Sequence, residues 1–242
     1  MSARGEPVTV WDTAFSRWLC LCGRNIRGRN MIRTFLFFAF GYFSGSILFA
    51  RVYGKLFNKD IIEKSKDKNP GTANAFMHGG MLCGILTLVG DILKGFLPVF
   101  LFLKASGGAV GFGIALVLAA PVLGHNYSVF YRFEGGKGIA VSFGCLLGLL
   151  PMALPVLILA VCYITLSVIV RISPHFYRTL AAYSAAAAMD LFLVPEAGIR
   201  TGMALIAALI IIKHLASTEE KMKFSISLPA ADNLKKIIRK AK

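Results

Sequence analysis

The chain has 242 residues, of which 56% are hydrophobic and 16% charged, with a mean hydropathy of +0.67 and a formal net charge of +15. Soluble domains usually carry about 45–50% apolar residues even with glycine counted, so this composition excludes an ordinary soluble enzyme. The positive charge flanks apolar runs and forms no ordered basic face with stacking aromatics, so it reads as membrane topology and attraction to anionic headgroups, with no nucleic acid as partner.

Residues 1–30 form an N-terminal extension. Trp11, Phe15, Trp18 and Leu19 fall on one helical face with Arg17 off it, as in an interfacial anchor. The other reading takes Met31, just before the first apolar run, as the true start. The order of charged, apolar and small residues does not fit a signal peptide. Seven apolar runs follow, at Arg33–Phe49, Met81–Leu103, Ala109–Leu123, Ile139–Leu150, Ala153–Val170, Thr179–Val194 and Ile199–Ile212. A crossing needs about 20 mostly apolar residues, and backbone in lipid must satisfy its own hydrogen bonds, which makes these runs helices. The fourth is short: it is either a half-helix lining a cavity or continuous with the fifth across Pro151 and Pro155. The predicted fold class is therefore all-α, a polytopic integral membrane helix bundle of about seven spans over residues 31–214, followed by a basic tail at 215–242. Within that tail, residues 234–240 have the pattern of an amphipathic surface helix.

Basic residues orient the bundle. With the C-terminus in the cytoplasm, the inner segments 51–80, 124–138, 171–178 and 213–242 hold 6, 2, 2 and 8 of the 27 Lys and Arg. The outer loops hold only Lys104 and Arg200. This satisfies the positive-inside rule everywhere except the N-terminal extension. The cysteines show neither a disulfide framework nor zinc spacing: Cys83, Cys145 and Cys162 lie in spans, and Cys20 and Cys22 have no second pair.

Four inner-side patches carry possible chemistry. Gly135-Gly136-Lys137-Gly138, preceded by Gly124-His125-Asn126-Tyr127, sits in a polar gap between apolar runs. Glycines there allow backbone N–H groups to face outward as an anion nest, and Lys137 adds a point charge suited to phosphate. The pattern is not a Walker A loop, since Gly138 follows the lysine where Ser or Thr is required. Lys68-Asn69-Pro70-Gly71-Thr72-Ala73-Asn74 has the composition of a tight turn with two amide side chains available for hydrogen bonding. Asp91 and Lys94 are three apart and share a helix face; ionisable groups within spans either pair to fix packing or serve a site. His214 ends the last run and suits a base or a hydrogen-bond donor; His78 and His175 are weaker candidates.

Those patches fall on one membrane side, joined by Ser46 beside Gly45. Their order and spacing, Gly45-Ser46-Ile47-Leu48-Phe49, Asn69–Asn74, Asp91-Ile92-Leu93-Lys94-Gly95, Gly124–Phe130 and Phe133-Glu134-Gly135-Gly136-Lys137-Gly138-Ile139-Ala140, resemble the acyl-phosphate-dependent glycerol-3-phosphate acyltransferases of bacteria, the PlsY type. The resemblance runs from about Met31 to His214. It implies transfer of a fatty acyl group from acyl phosphate to the 1-hydroxyl of glycerol 3-phosphate, giving lysophosphatidic acid and phosphate for phospholipid synthesis. It also implies seven spans in the bacterial plasma membrane, with inner loops and C-terminus cytoplasmic. No metal, organic cofactor or coenzyme A is implied. The partners implied are the two substrates, membrane lipids and the enzyme supplying acyl phosphate. Lys137 and His214 are the expected catalytic residues. Gly135, Gly136, Gly138, His125, Asn69, Gly71, Asn74, Ser46 and Ser173 are expected to bind substrate.

Several positions depart from the family pattern. Asp67 stands where a serine is usual, and Thr72-Ala73 reverses Ala-Thr. Phe76, Met77 and His78 occupy the place of an arginine, Glu134 replaces a lysine, and Ser217 replaces an asparagine. Against the catalytic reading stands a second one: a non-catalytic or substrate-switched membrane relative with a lipid-binding, regulatory or transport role.

Overall fold

The computed structural model describes residues 30–65, 67–107, 111–217 and 224–226. The expectations for Trp11, Phe15, Trp18, Leu19, Cys20 and Cys22, and for a helix at 234–240, fall outside those residues. The first apolar run forms α1 (30–46) and, after a break at Ile47 and Leu48, α2 (Phe49–Leu56). Breaking a helix in lipid exposes carbonyls that water cannot reach. Here they are met from elsewhere: the Ser128 hydroxyl donates to the Ser46 carbonyl at 2.6 Å, and the Lys94 ammonium to that of Ile47 at 2.6 Å. The polar loop that follows holds two single-turn helices, α3 (Ile61–Lys64) and α4 (Thr72–Asn74), the latter running into a wider turn at Ala75–Gly79.

The bundle continues with α5 (Met81–Ala105), α6 (Gly113–Asn126), α7 (Ile139–Leu147), α8 (Leu154–Ile164), α9 (His175–Leu193) and α10 (Ala197–Leu215). Among the described residues, four helical stretches are long and apolar enough to cross a membrane: Asn30–Leu56, Met81–Ala105, Gly113–Tyr131 and Ala197–Leu215. The nine residues of α7 span only ~14 Å at 1.5 Å each, about half a hydrocarbon core. Turns at 148–153 separate it from α8, so the fourth and fifth runs do not form one helix. A two-residue strand pair, β1 (Ile172–Ser173) with β2 (Ser225–Ile226), is antiparallel.

Small residues set the helix contacts. A Cβ on Gly45 would strike the Pro121 carbonyl, and one on Gly124 the Tyr42 carbonyl, so α1 and α6 touch backbone to backbone. Gly95 meets the Val141 carbonyl and Gly144 that of Ile92, giving the same reciprocal approach between α5 and α7. Arg33 at the start of α1 donates to the Ala105 carbonyl at the end of α5 at 2.7 Å, so the two run antiparallel. The core of Leu118, Val122, Leu146, Leu149, Ile199, Met203 and Ile206 is sealed, while Phe35, Leu36, Leu93, Leu97, Leu157 and Val161 face outward, as lipid-facing positions should.

Candidate active site

The glycine-rich segment is held between the end of α6 and the start of α7. Gly135 presses on the carbonyls of His125 and Asn126, and Gly136 on the His125 imidazole, so any Cβ there would collide. The Gly136 N–H donates to the His125 carbonyl at 2.9 Å. This corrects the expectation that the loop's N–H groups all face outward: at Gly136 the glycine serves close packing on α6. Gly138 adopts a left-handed φ of 76°, which turns the chain into the N-terminus of α7.

Lys137 lies between those glycines, largely buried, and donates to Asp67 Oδ2 at 2.8 Å across a sequence separation of 70 residues. The other Asp67 oxygen accepts from Asn74 Nδ2 at 2.9 Å and from the Asn69 N–H at 3.3 Å. Asn74 also donates to the Asn69 carbonyl at 2.8 Å, which closes the turn. Burial alone would raise the Asp67 pKa, but the hydrogen bonds from Lys137 and Asn74 and the lysine's charge outweigh it. The carboxyl is held below its ordinary 3.8.

Beneath this layer lies a second ion pair. Lys94 Nζ contacts Asp91 Oδ1 at 2.8 Å, the Ile47 carbonyl at 2.6 Å and His125 Nδ1 at 2.9 Å. Three acceptors thus surround three N–H groups. The donation to Nδ1 assigns the neutral His125 tautomer with its proton on Nε2, the edge that abuts Gly136. Thr72 Oγ1 donates to Asp91 Oδ2 at 3.1 Å, tying the Asn-Pro-Gly turn to the same pair. The reordered threonine therefore spends its hydroxyl inward.

A cleft of ≈ 1080 Å³ opens above the two loops. Asp67, Asn69, Gly135 and Lys137 line it, together with Arg51, Lys55, Lys59, Lys68 and Lys213, and with Asp60, Glu63 and Glu134 as opposing charges. Of the other sequence candidates, Gly71, Asn74, Gly136 and Gly138 support these loops from behind. His125 and Ser46 are buried, the latter donating to the Tyr42 carbonyl at 2.9 Å. Ser173 lies in β1, paired with Ser225. His214 is also buried and does not line the cleft. Its Nδ1 lies 2.9 Å from the Ile210 carbonyl, and its ring lies parallel to that of His175 with centroids 6.2 Å apart. His175 in turn bonds Tyr163 at 3.0 Å. Among the described residues, no three His, Cys, Asp or Glu side chains gather as a metal site.

Among the cleft cations not singled out from sequence, two rest on aromatic rings. Lys213 donates to the Asn126 carbonyl at 2.7 Å and lies 4.7 Å from the Tyr127 ring centroid. Arg51 lies over Tyr131 at 4.9 Å. A signal for Arg51 existed: Arg51, Lys55 and Lys59 recur every four residues, the spacing of one helix face.

Residues 35–223 match the family described as glycerol-3-phosphate acyltransferase. A protein of that name from Trichlorobacter lovleyi is 39% identical over 194 residues, 75% of this chain and 94% of the relative. The glycerol-3-phosphate acyltransferase of Janthinobacterium sp. is 45% identical over 121 residues, 49% of this chain; the match spans only 60% of that relative's length. The crystal structure of PlsY, an integral membrane glycerol 3-phosphate acyltransferase, in its glycerol 3-phosphate form superposes with a TM-score of 0.66 at 28% identity, over 75% of this chain and 88% of the other. Its lysophosphatidic acid form gives a TM-score of 0.63 over 75% and 87%.

Proposed function

The chain belongs to the glycerol-3-phosphate acyltransferase family, and from that premise we propose that it transfers a fatty acyl group from acyl phosphate to the 1-hydroxyl of glycerol 3-phosphate. The hydroxyl oxygen bonds to the acyl carbon, and the carbon–oxygen bond to phosphate breaks with its electron pair going to the leaving group. Lysophosphatidic acid and inorganic phosphate result, the latter taking up the hydroxyl proton. The donor is an activated mixed anhydride, so the protein's task is to place two anions together and to stabilise charge on the leaving phosphate.

One observation carries this reading: the Asn69–Asn74 turn and the Gly135–Gly138 loop, far apart in sequence, converge on one basic cleft through Asp67 and Lys137. Lys137, beside the N-terminus of α7, is suited to the phosphate that leaves. Asn69 and Gly135 line the cleft with Lys137, and Asn74, Gly136 and Gly138 hold the two loops in place from behind. His214, buried behind Lys213, acts on the reaction by fixing the end of α10. The cytoplasmic placement of the cleft and C-terminus rests on the basic-residue distribution, and seven spans in a bacterial plasma membrane on the family resemblance.

The second reading, a non-catalytic relative, draws its support from Asp67, whose carboxylate already engages Lys137. The test is phosphate release by the purified protein in lipid with palmitoyl phosphate, with and without glycerol 3-phosphate. Acceptor-dependent release with lysophosphatidic acid formed supports the acyltransferase. Absence of any dependence in a folded, lipid-inserted sample rejects it.

A further inference from the structure

Arg51 differs from Lys137 and Lys213, the other cleft cations that make a polar or aromatic contact, in how little of its bonding is used. Lys137 is engaged by Asp67, and Lys213 by the Asn126 carbonyl. The Arg51 guanidinium rests on the Tyr131 ring at 4.9 Å, which fixes its plane. Its nearest carboxylate, Glu134, is 3.7 Å away, beyond hydrogen-bond range, and that carboxylate's side chain is 78% exposed. Arg51 Nε is buried with no hydrogen-bond partner. A planar fork of five donors, oriented by an aromatic face and unspent among the described residues, is costly to leave in a cleft unless a ligand completes it.

We propose that Arg51 is the specificity-determining residue for the acceptor, its guanidinium taking the phosphate of glycerol 3-phosphate in a two-bond fork; this rests on the acyl-transfer reading above. Fork geometry matches a phosphate monoester, which presents paired oxygens. Position separates acceptor from donor. Arg51 lies beside the exposed Glu134, at the water-facing side where a soluble phosphate arrives, whereas the Lys137 side chain is only 9% exposed. The donor carries a hydrocarbon chain that must stay among the helices, so its phosphate falls to the deeper lysine. Tyr131 acts here as a platform that holds the fork in register.

The experiment uses the full-length protein in lipid nanodiscs, with Arg51→Gln and Arg51→Lys as variants. Calorimetric binding of glycerol 3-phosphate is measured beside steady-state kinetics in both substrates. Arg51→Gln is expected to weaken glycerol 3-phosphate binding and raise its KM about 10–50-fold, since hydrogen bonds to charged groups are the strong ones. The kcat and the KM for palmitoyl phosphate should stay within about 2-fold, the pattern of lost uniform binding. Arg51→Lys should recover only part, because an ammonium restores the charge without the fork. Unchanged glycerol 3-phosphate affinity in Arg51→Gln overturns the proposal. So does a rise in the palmitoyl phosphate KM instead, or an equal rise in both with a lowered unfolding temperature, which marks a merely structural role. If the wild type binds glycerol 3-phosphate through Arg51 yet releases no phosphate, the acyl-transfer reading fails while this assignment stands. Absence of glycerol 3-phosphate binding by the wild type overturns this assignment.

Discussion

Two aspartate–lysine pairs of equal length, 2.8 Å each, sit one above the other in this protein. Asp91–Lys94 belongs to one helix and is buried on every side. Asp67–Lys137 joins two loops and forms part of a cleft wall. The distance is the same; the surroundings assign the roles. The lower lysine is saturated by acceptors from three elements, so the pair behaves as a knot for the broken first span, for α5 and for the end of α6. The upper lysine meets a carboxylate at the wall of an open cleft. A charge pair is thus weak evidence of function until its partners and its access are known.

The comparison breaks most visibly at Lys94. Lys94→Met leaves Asp91 buried without its cation and strips the Ile47 carbonyl of its donor. Removing one partner of a buried pair costs about 3–5 kcal/mol, so the expected result is little folded protein by detergent size-exclusion and thermal unfolding. A Lys94→Met protein that melts like the wild type would show the knot to be dispensable. Lys137→Ala should do the reverse. Acceptor-dependent phosphate release is expected to fall about 10²–10³-fold, the scale of losing one transition-state donor, with the unfolding temperature nearly unchanged. Comparable turnover in that variant would remove Lys137 from the site. His214→Ala should lie between wild type and Lys137→Ala, with a loss of about 10-fold, since a buried ring outside the cleft acts only through position. A loss equal to that of Lys137→Ala would place the imidazole on a reacting atom.

The two pairs also differ in how legible they were. Asp91 and Lys94 are three residues apart, and helix geometry alone brings them together. That pairing could be read from the sequence, as could the apolar runs and the two loops. What Lys94 does beyond Asp91 could not: the break at Ile47 and Leu48 is a tertiary event, permitted because side chains from α5 and the loop after α6 satisfy its carbonyls. Asp67 was visible as an unusual residue near a phosphate loop, but its bond to Lys137 spans 70 residues and no local rule predicts it. His125 and Ser46 are buried and do not line the cleft, because residue type and spacing report proximity to a site without reporting which side of a helix faces it. What Arg51 does is not legible locally, because the ring it rests on, Tyr131, belongs to a distant segment of the chain.

The smallest effect expected concerns the acid limb of the upper pair. The Asp67 carboxyl is held below 3.8 in the folded protein, so any stability from its pairing is fully present above the unfolded pKa and is lost as pH falls through the lower, folded value. Both side chains are largely buried but border the cleft, so that contribution is small and only partly solvent-screened. Asp67→Asn should therefore lower the unfolding midpoint slightly and equally from pH 5 to 8, and the gap to wild type should close only below about pH 4. Over the same neutral range, Asp67→Asn should make inorganic phosphate a stronger inhibitor by about 5-fold, since an incoming anion no longer competes with a resident carboxylate. If phosphate inhibition is unchanged while kcat falls, Asp67 orients Lys137 for the substrate and does not stand in its place; the upper pair would then resemble the lower one more closely than their surroundings imply.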